Sequence, residues 1–373
     1  MPGIYIHIPF CRKACHYCNF HFSTTLQRRA DMVEAMRREI TLIAPPIPET
    51  VDTVYFGGGT PSLLEPEELS GLMKTIHQYF RIAEDAEVTL EANPDDIRPE
   101  KISVWTSLGI NRLSIGIQSF REDDLTWMNR AHDAHQAREC IDIARTGGIV
   151  NLSIDLIYGT PGLTDAAWQE NMKIATTLGI PHLSCYALTV EPGTALDTMI
   201  RQRKRIAPAS ETQAEQFLMA MDRLGEAGYE HYEISNFALP GMRSRHNSAY
   251  WQGIPYIGIG PSAHSYNGQD RRWNVANNAA YISALNEGRI PFEAETLTDS
   301  QRLNEYVMTS LRTIEGMDML RIRETWGKAV TDRILRDAAP FLTSGRLETN
   351  EFSVTLTREG KLFADGIAAE LFG

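Results

Sequence analysis

A chain of 373 residues with 43% apolar content can bury one large core and a smaller second one. Its formal charge of −12 argues against a broad phosphate-neutralising surface, so nucleic acid is not expected as a partner. No apolar run reaches the ~20 residues of a transmembrane segment. "MPGIYIHIPF" at the start lacks the basic head and long apolar stretch of a secretion signal, so the expected compartment is cytoplasmic.

Strand-like and helix-like runs alternate from the first residues onward. "IYIHI" (4–8) places Ile4, Ile6 and Ile8 on one face by period-two alternation. Further short strands are expected at 51–56, 86–91, 112–117, 150–156 and 182–188. Helices are expected near 26–43, 66–80, 99–108, 121–146 and 165–178. "SLGI" and "TLGI" end two of those helices on glycine. A seventh pair, "AEQFLMAMDRLGEAG" then "YEHYEI", closes the series. Repeated strand–helix units imply parallel strands with right-handed crossovers. The expected fold class is therefore α/β, a complete or partial barrel. The expected division is 1–240 for the barrel, 241–295 for a connecting segment and 296–373 for a C-terminal domain.

Polar residues collect where these strands end. The first strand runs into a cysteine loop and the second into "GGGTP" (57–61). Glu91, Gln118 and Asp155 stand near the ends of the third, fourth and fifth. Parallel barrels bind ligands at the carboxyl ends of their strands, so these residues read as the rim of one site. The glycines of "GGGTP" let backbone approach a ligand closely, although the same run also suits an ordinary strand-to-helix turn.

The rim begins with "CRKACHYCNF" (11–20), which holds three of the five cysteines. An odd cysteine count does not suit a disulfide framework, and cytoplasmic thiols stay reduced. Cys140 and Cys185 fall in a helical and a strand-like run and read as small buried apolar residues. Cys11, Cys15 and Cys18 can aim three sulfurs at a common centre, which suits zinc or an iron–sulfur cluster. Zinc would need a fourth ligand, with His7, His16 and His21 the candidates. Crowding into a single loop favours the cluster, because structural zinc sites pair two ligands in one place with two in another. Three ligands on a four-iron cluster leave one iron open for chemistry.

CxxxCxxC after a first strand, with Tyr17 just before the last cysteine, resembles the radical S-adenosylmethionine (SAM) superfamily. The resemblance implies a partial (β/α)6-type TIM-like barrel and a 4Fe–4S cluster on Cys11, Cys15 and Cys18. It also implies SAM chelated to the open iron by its amino and carboxylate groups. Tyr5, Tyr17, Gly58, Gly59, Thr60, Glu91, Gln118, Arg130 and Asp155 match the superfamily's cofactor-binding positions. Carboxylates and an amide can hold ribose hydroxyls or an ammonium, and a guanidinium can hold a carboxylate.

"YIHIPFC", "GGGTPSLL", "SIGIQSF", "DLIYGTPG", "YEISNFA" and "YIGIGPSAHS" extend the resemblance to the oxygen-independent coproporphyrinogen III oxidase family. Its oxidase branch carries a further cysteine two residues after the third and a longer N-terminal arm. Here that position is Phe20, and ten residues precede Cys11. The heme-chaperone branch is marked by HNxxYW, present as "HNSAYW" at 246–251. That branch implies heme as a ligand and hemoproteins, including membrane-bound respiratory ones, as clients. His246 could ligate heme iron, while Tyr250 and Trp251 could support the macrocycle; His264 is a second candidate ligand. Oxidative decarboxylation of coproporphyrinogen III and a zinc-stabilised interaction module remain the alternatives.

The segment 296–373 changes character. Helical stretches near 299–313 and 329–342 precede two short strands around "ETNE" and a final helix, an order resembling a winged helix. Ten Lys/Arg against twelve Asp/Glu give it a net charge of −2, without the electrostatic footprint of a DNA reader.

Overall fold

The structure is a computed structural model that describes residues 2–43 and 50–373. Its frame is a run of six parallel strands in sequence order. They are β1 (Gly3–Ile8), β2 (Val51–Gly58), β3 (Ile82–Ala92), β4 (Arg112–Gln118), β5 (Asn151–Tyr158) and β6 (His182–Ala187). Alternation divides each strand between two environments. Ile4, Ile6 and Ile8 of β1 are buried in the main apolar core with residues of the crossover helices, such as Met32, Met36 and Ile40. Tyr5 and His7, at the alternate positions, carry polar atoms inward. Gly109 and Gly179 follow two of the helices with positive φ (85° and 62°), so the glycine stops act as expected.

The barrel stays open. Two short strands, β7 (Glu230–His231) and β8 (Asn236–Ala238), follow β6, and β8 pairs with it antiparallel. The "YEHYEI" segment is thus a two-residue strand entering a reversal, not a seventh parallel strand. Glu233 makes the turn: its carbonyl accepts from Asn236 N–H at 3.2 Å and its carboxylate from Ser235 N–H at 3.2 Å.

On the other side of β1, a parallel strand β9 (Tyr256–Ile259) leads into an antiparallel meander. Its strands are β10 (His264–Tyr266), β11 (Asp270–Asn274) and β12 (Phe292–Thr296). The result is one sheet of twelve strands. A buried carboxylate fastens this extension to the barrel: Glu39, from the helix Arg29–Ile43, accepts from Gly260 N–H at 2.8 Å and Asn274 Nδ2 at 2.6 Å.

The expected helix 121–146 is two helices, Glu122–Trp127 and Gln136–Thr146. Asn129, at φ 61°, breaks the helical path, and the interruption carries Arg130 towards the strand ends.

The C-terminal part runs helix Asp299–Leu311, β13 (Met317–Asp318), helix Met319–Trp326, helix Lys328–Thr343, β14 (Leu347–Thr349) and β15 (Ser353–Leu356). The helix Ala364–Glu370 follows. The sheet order β13-β15-β14 completes a winged-helix-like arrangement. The helix 319–326 and β13 were not anticipated from the sequence. A separate core of Leu303, Val307, Ile322, Ile334 and Ile367 supports this part. It meets the barrel through Arg358–Asp222 at 2.7 Å and the bridge Glu233↔Thr313. No described helix is long and apolar enough to cross a membrane.

Candidate functional site

The cysteine loop leaves β1 at its carboxyl end and is pinned on both sides. Cys11 N–H donates to Ser23 O at 3.0 Å, and Asn129 Nδ2 donates to Ala14 O at 2.7 Å. His16 N–H donates to Met128 O at 3.2 Å, and Lys13 Nζ to Arg130 O at 3.0 Å. Cys11, Cys15 and Cys18 are free thiols, half-buried on this loop. Burial pushes the Cys11 thiol up to about 11 and raises that of Cys18, so an electropositive centre must compensate before both become thiolates. Donors already point at the sulfurs: Thr60 Oγ1 lies 3.4 Å from Cys11 Sγ and Arg130 Nη1 3.1 Å from Cys15 Sγ. Such bonds stabilise sulfur that carries negative charge, as cluster ligands do.

The glycine run buttresses the loop. A Cβ on Gly59 would come within 2.6 Å of Phe10 O and 2.9 Å of Ile8 O, at the base of the cysteine loop. Gly58, at φ 106°, adopts a backbone that other residues rarely take, and its N–H donates to Glu91 Oε2 at 3.1 Å. The opposite carboxylate oxygen accepts from Tyr55 OH at 2.8 Å.

Glu91 and Asp155 are carboxylates short of positive charge. Burial pushes Glu91 up to about 8, countered by the Tyr55 hydrogen bond and reinforced by Asp155. Burial pushes Asp155 up to about 6, countered by the Ser184 hydroxyl and by Arg112 and Arg130. A cationic ligand would ionise both. Arg130 Nη2 is held by Asn93 Oδ1 and Gly116 O, each at 2.7 Å. Its Nε and the Thr160 hydroxyl are buried without a partner among the described residues, donors left over for a ligand. Gln118 takes a left-handed φ of 67° at the end of β4, a strained conformation for its residue type. Tyr5 OH meets His7 Nδ1 at 3.1 Å, and Tyr17 packs among Met128, Ile157 and Leu196. Glu91, Gln118 and Asp155 therefore come from successive strands, and three free thiols on one loop, two buried carboxylates and a guanidinium with a spare donor are the groups that a cluster with SAM would use.

Of the histidines that a zinc site would have needed, His7 has both ring nitrogens hydrogen-bonded, and His16 and His21 have one each. His7 Nε2 bonds to His21 O at 2.9 Å, His16 Nδ1 to Trp127 O at 3.1 Å, and His21 Nε2 to Asn278 Oδ1 at 2.7 Å.

His246 is not on this rim. It starts the helix Arg245–Trp251, which closes the amino-terminal end of the strands, and it is 2% exposed. Nδ1 bonds to Thr53 Oγ1 and Nε2 to Tyr250 OH, each at 2.8 Å, and the ring stacks on Tyr55 at 4.9 Å. Glu87 receives the helix start, accepting from the N–H groups of Arg245 and His246 at 3.1 and 3.0 Å. Burial, then the Arg112 charge, lowers the imidazole to about 3, so it is neutral. His264 lies on the meander instead, exposed beside Trp273.

The sequence did not reveal Tyr55, Asn93 or Arg112 as contributors to the site. Asn93, in "LEANPDD", was open to suspicion because an asparagine before proline at a strand end is held by its turn. Arg112 carried no signal: a charged residue opening a strand reads as a surface group, yet it is 1% exposed with its Nε 3.9 Å from Glu87.

The radical SAM superfamily model matches residues 5–175. The chain is 34% identical to the heme chaperone HemW of Bacillus subtilis across the whole of both chains. It is 36% identical to HemW of Mycobacterium tuberculosis, covering all of this chain and 95% of that one. The solved coproporphyrinogen III oxidase HemN of Escherichia coli superposes with a TM-score of 0.86 at 26% identity, covering all of this chain and 90% of HemN.

Proposed function

The chain belongs to the HemW family of the radical SAM superfamily, and from that membership we propose that it binds heme and passes it to hemoprotein clients. The carrying observation is end-to-end similarity to curated heme chaperones. Cys11, Cys15 and Cys18 would hold the 4Fe–4S cluster, whose open iron, when loaded, supplies one-electron chemistry to SAM. Glu91, Gln118 and Asp155 would receive the polar and cationic groups of SAM, and Arg130 its carboxylate. Tyr5, Tyr17, Gly58, Gly59 and Thr60 would line the same site.

His246 enters this reading as a neutral imidazole of the kind heme iron binds. To reach iron it must exchange the Tyr250 hydroxyl for the metal. Anaerobic reconstitution with iron and sulfide, followed by heme titration and transfer to an apo-hemoprotein, tests the proposal. Saturable heme binding and net transfer are expected; absence of binding by cluster-loaded protein overturns it.

The HemN superposition favours a second reading, oxidative decarboxylation of coproporphyrinogen III. Phe20, 67% exposed, stands where the oxidase branch has a cysteine. Product formation by the reduced, cluster-loaded protein would establish that reading instead.

A further inference from the structure

A cleft of about 380 Å³ opens away from the rim. One side is the turn after the 245–251 helix with strands β9 to β11; the other is the pair of helices Asp299–Leu311 and Met319–Trp326. Its walls are aromatic, with Tyr250, Trp251, Tyr256, Tyr266, Tyr306 and Trp326 all contributing. Several rings are locked against one another: Tyr250 on Tyr256 at 4.6 Å and Tyr306 on Trp326 at 5.7 Å. Flat rigid faces of this kind suit a flat ligand.

The charge on the walls is cationic. Arg271, Arg302 and Arg321 face a single lining carboxylate, Glu305, which Arg271 already holds at 2.8 Å. Arg302 pairs with Asp299 through Nη2, while its Nε is buried without a partner among the described residues. Arg321 lies 4.6 Å over the Tyr306 ring. The Trp326 indole N–H is buried and also lacks an acceptor among the described residues. Behind the lining, Glu295 adds to the negative charge felt by Glu305, Asp299 pairs with Arg302, and Asp318 stands beside Tyr306. Unused donors beside aromatic walls call for a ligand that is planar, apolar across its face and anionic at its edge.

We propose that this cleft is the heme-binding site, with the macrocycle against the aromatic walls and its carboxylates on Arg302 and Arg321. The assignment rests on the heme reading above and gives it a place. It also accounts for His246: Tyr250 lines the cleft and holds His246 Nε2 from behind, so the neutral imidazole is one hydrogen bond from the bound ligand.

The test titrates hemin, iron-free protoporphyrin IX and hemin dimethyl ester into the reconstituted full chain and its Arg302→Met/Arg321→Met variant. Absorbance and tryptophan quenching report binding. The variant should weaken hemin and protoporphyrin IX by about tenfold or more, because charge-assisted hydrogen bonds are lost. The dimethyl ester, without carboxylates, should bind both proteins alike. Unchanged cluster content and melting temperature establish that the variant folds; should it not fold, Arg321→Gln against Arg321→Lys makes the same comparison with one charge. Undiminished hemin affinity in the charge-removed variants overturns the placement and leaves the heme reading standing. Failure of the unaltered protein to bind hemin overturns both.

Discussion

The rim and the cleft are built from the same stock of aromatic, acidic and basic side chains, but by different routes. At the rim, β1 to β5 each deliver their own residues at their own ends, so chain order and spatial order coincide. At the cleft, residues from 250 to 326 meet only because the meander and the C-terminal helices pack face to face. A motif can announce the first kind of site. The second kind exists only after folding, and its chemistry is visible in donors left unpaired, as at Arg302 and Trp326.

Three perturbations probe this contrast. The largest effect belongs to the rim alone. Cys15→Ala should abolish the cluster, measured as loss of nearly all bound iron and sulfide, while the melting temperature of the cluster-free protein changes little because Cys15 is half-buried. If iron and sulfide survive at full stoichiometry, the ligand assignment fails.

His246→Ala reaches the opposite end. It removes two hydrogen bonds, a ring stack and buried volume, so a loss of about 2–4 kcal/mol in unfolding free energy is expected in denaturant titrations. The acid limb of stability should change too. With the native imidazole near 3 and the unfolded one near 6.5, only the unfolded chain takes up this proton between those values. The contribution is complete above pH 6.5, is lost as pH falls towards 3, and disappears in the variant. An unchanged acid limb would contradict the buried, neutral ring.

The smallest effect returns to the rim and concerns SAM. Glu91 is held near 8, so it is largely protonated at neutrality and must release a proton to receive a cation. Affinity should rise with pH by up to about tenfold per unit below pH 8, then level off. Asp155, near 6, should steepen the rise on the acid side. Isothermal titration in buffers of different ionisation enthalpy counts the released protons; a flat profile, or one that persists in Glu91→Gln, would remove Glu91 from the role.

Much of the rim was legible because each signal was local. Cys11, Cys15 and Cys18 lie within one loop, and Glu91 and Asp155 end strands whose alternation is plain. Arg130 was placed by resemblance, but the helix expected through it hid the Asn129 break that delivers it. His246 was legible as a motif and not as a location, since nothing in "HNSAYW" says that Thr53 and Tyr250 will take both ring nitrogens. Arg112 and Glu87 were invisible for a related reason: a charge in a strand declares its face only when the strand's neighbours are known.

Local pattern by itself determined the strand–helix alternation, the cysteine loop and the order of polar residues along the strand ends, because these depend on periodicity and near-neighbour chemistry. The tertiary structure alone decided that the series ends in the β7–β8 reversal, that His246 faces inward, and that two distant segments enclose an aromatic, arginine-lined cleft. Those outcomes depend on which surfaces meet when the chain packs, and contacts between residues far apart in the chain leave no period to read.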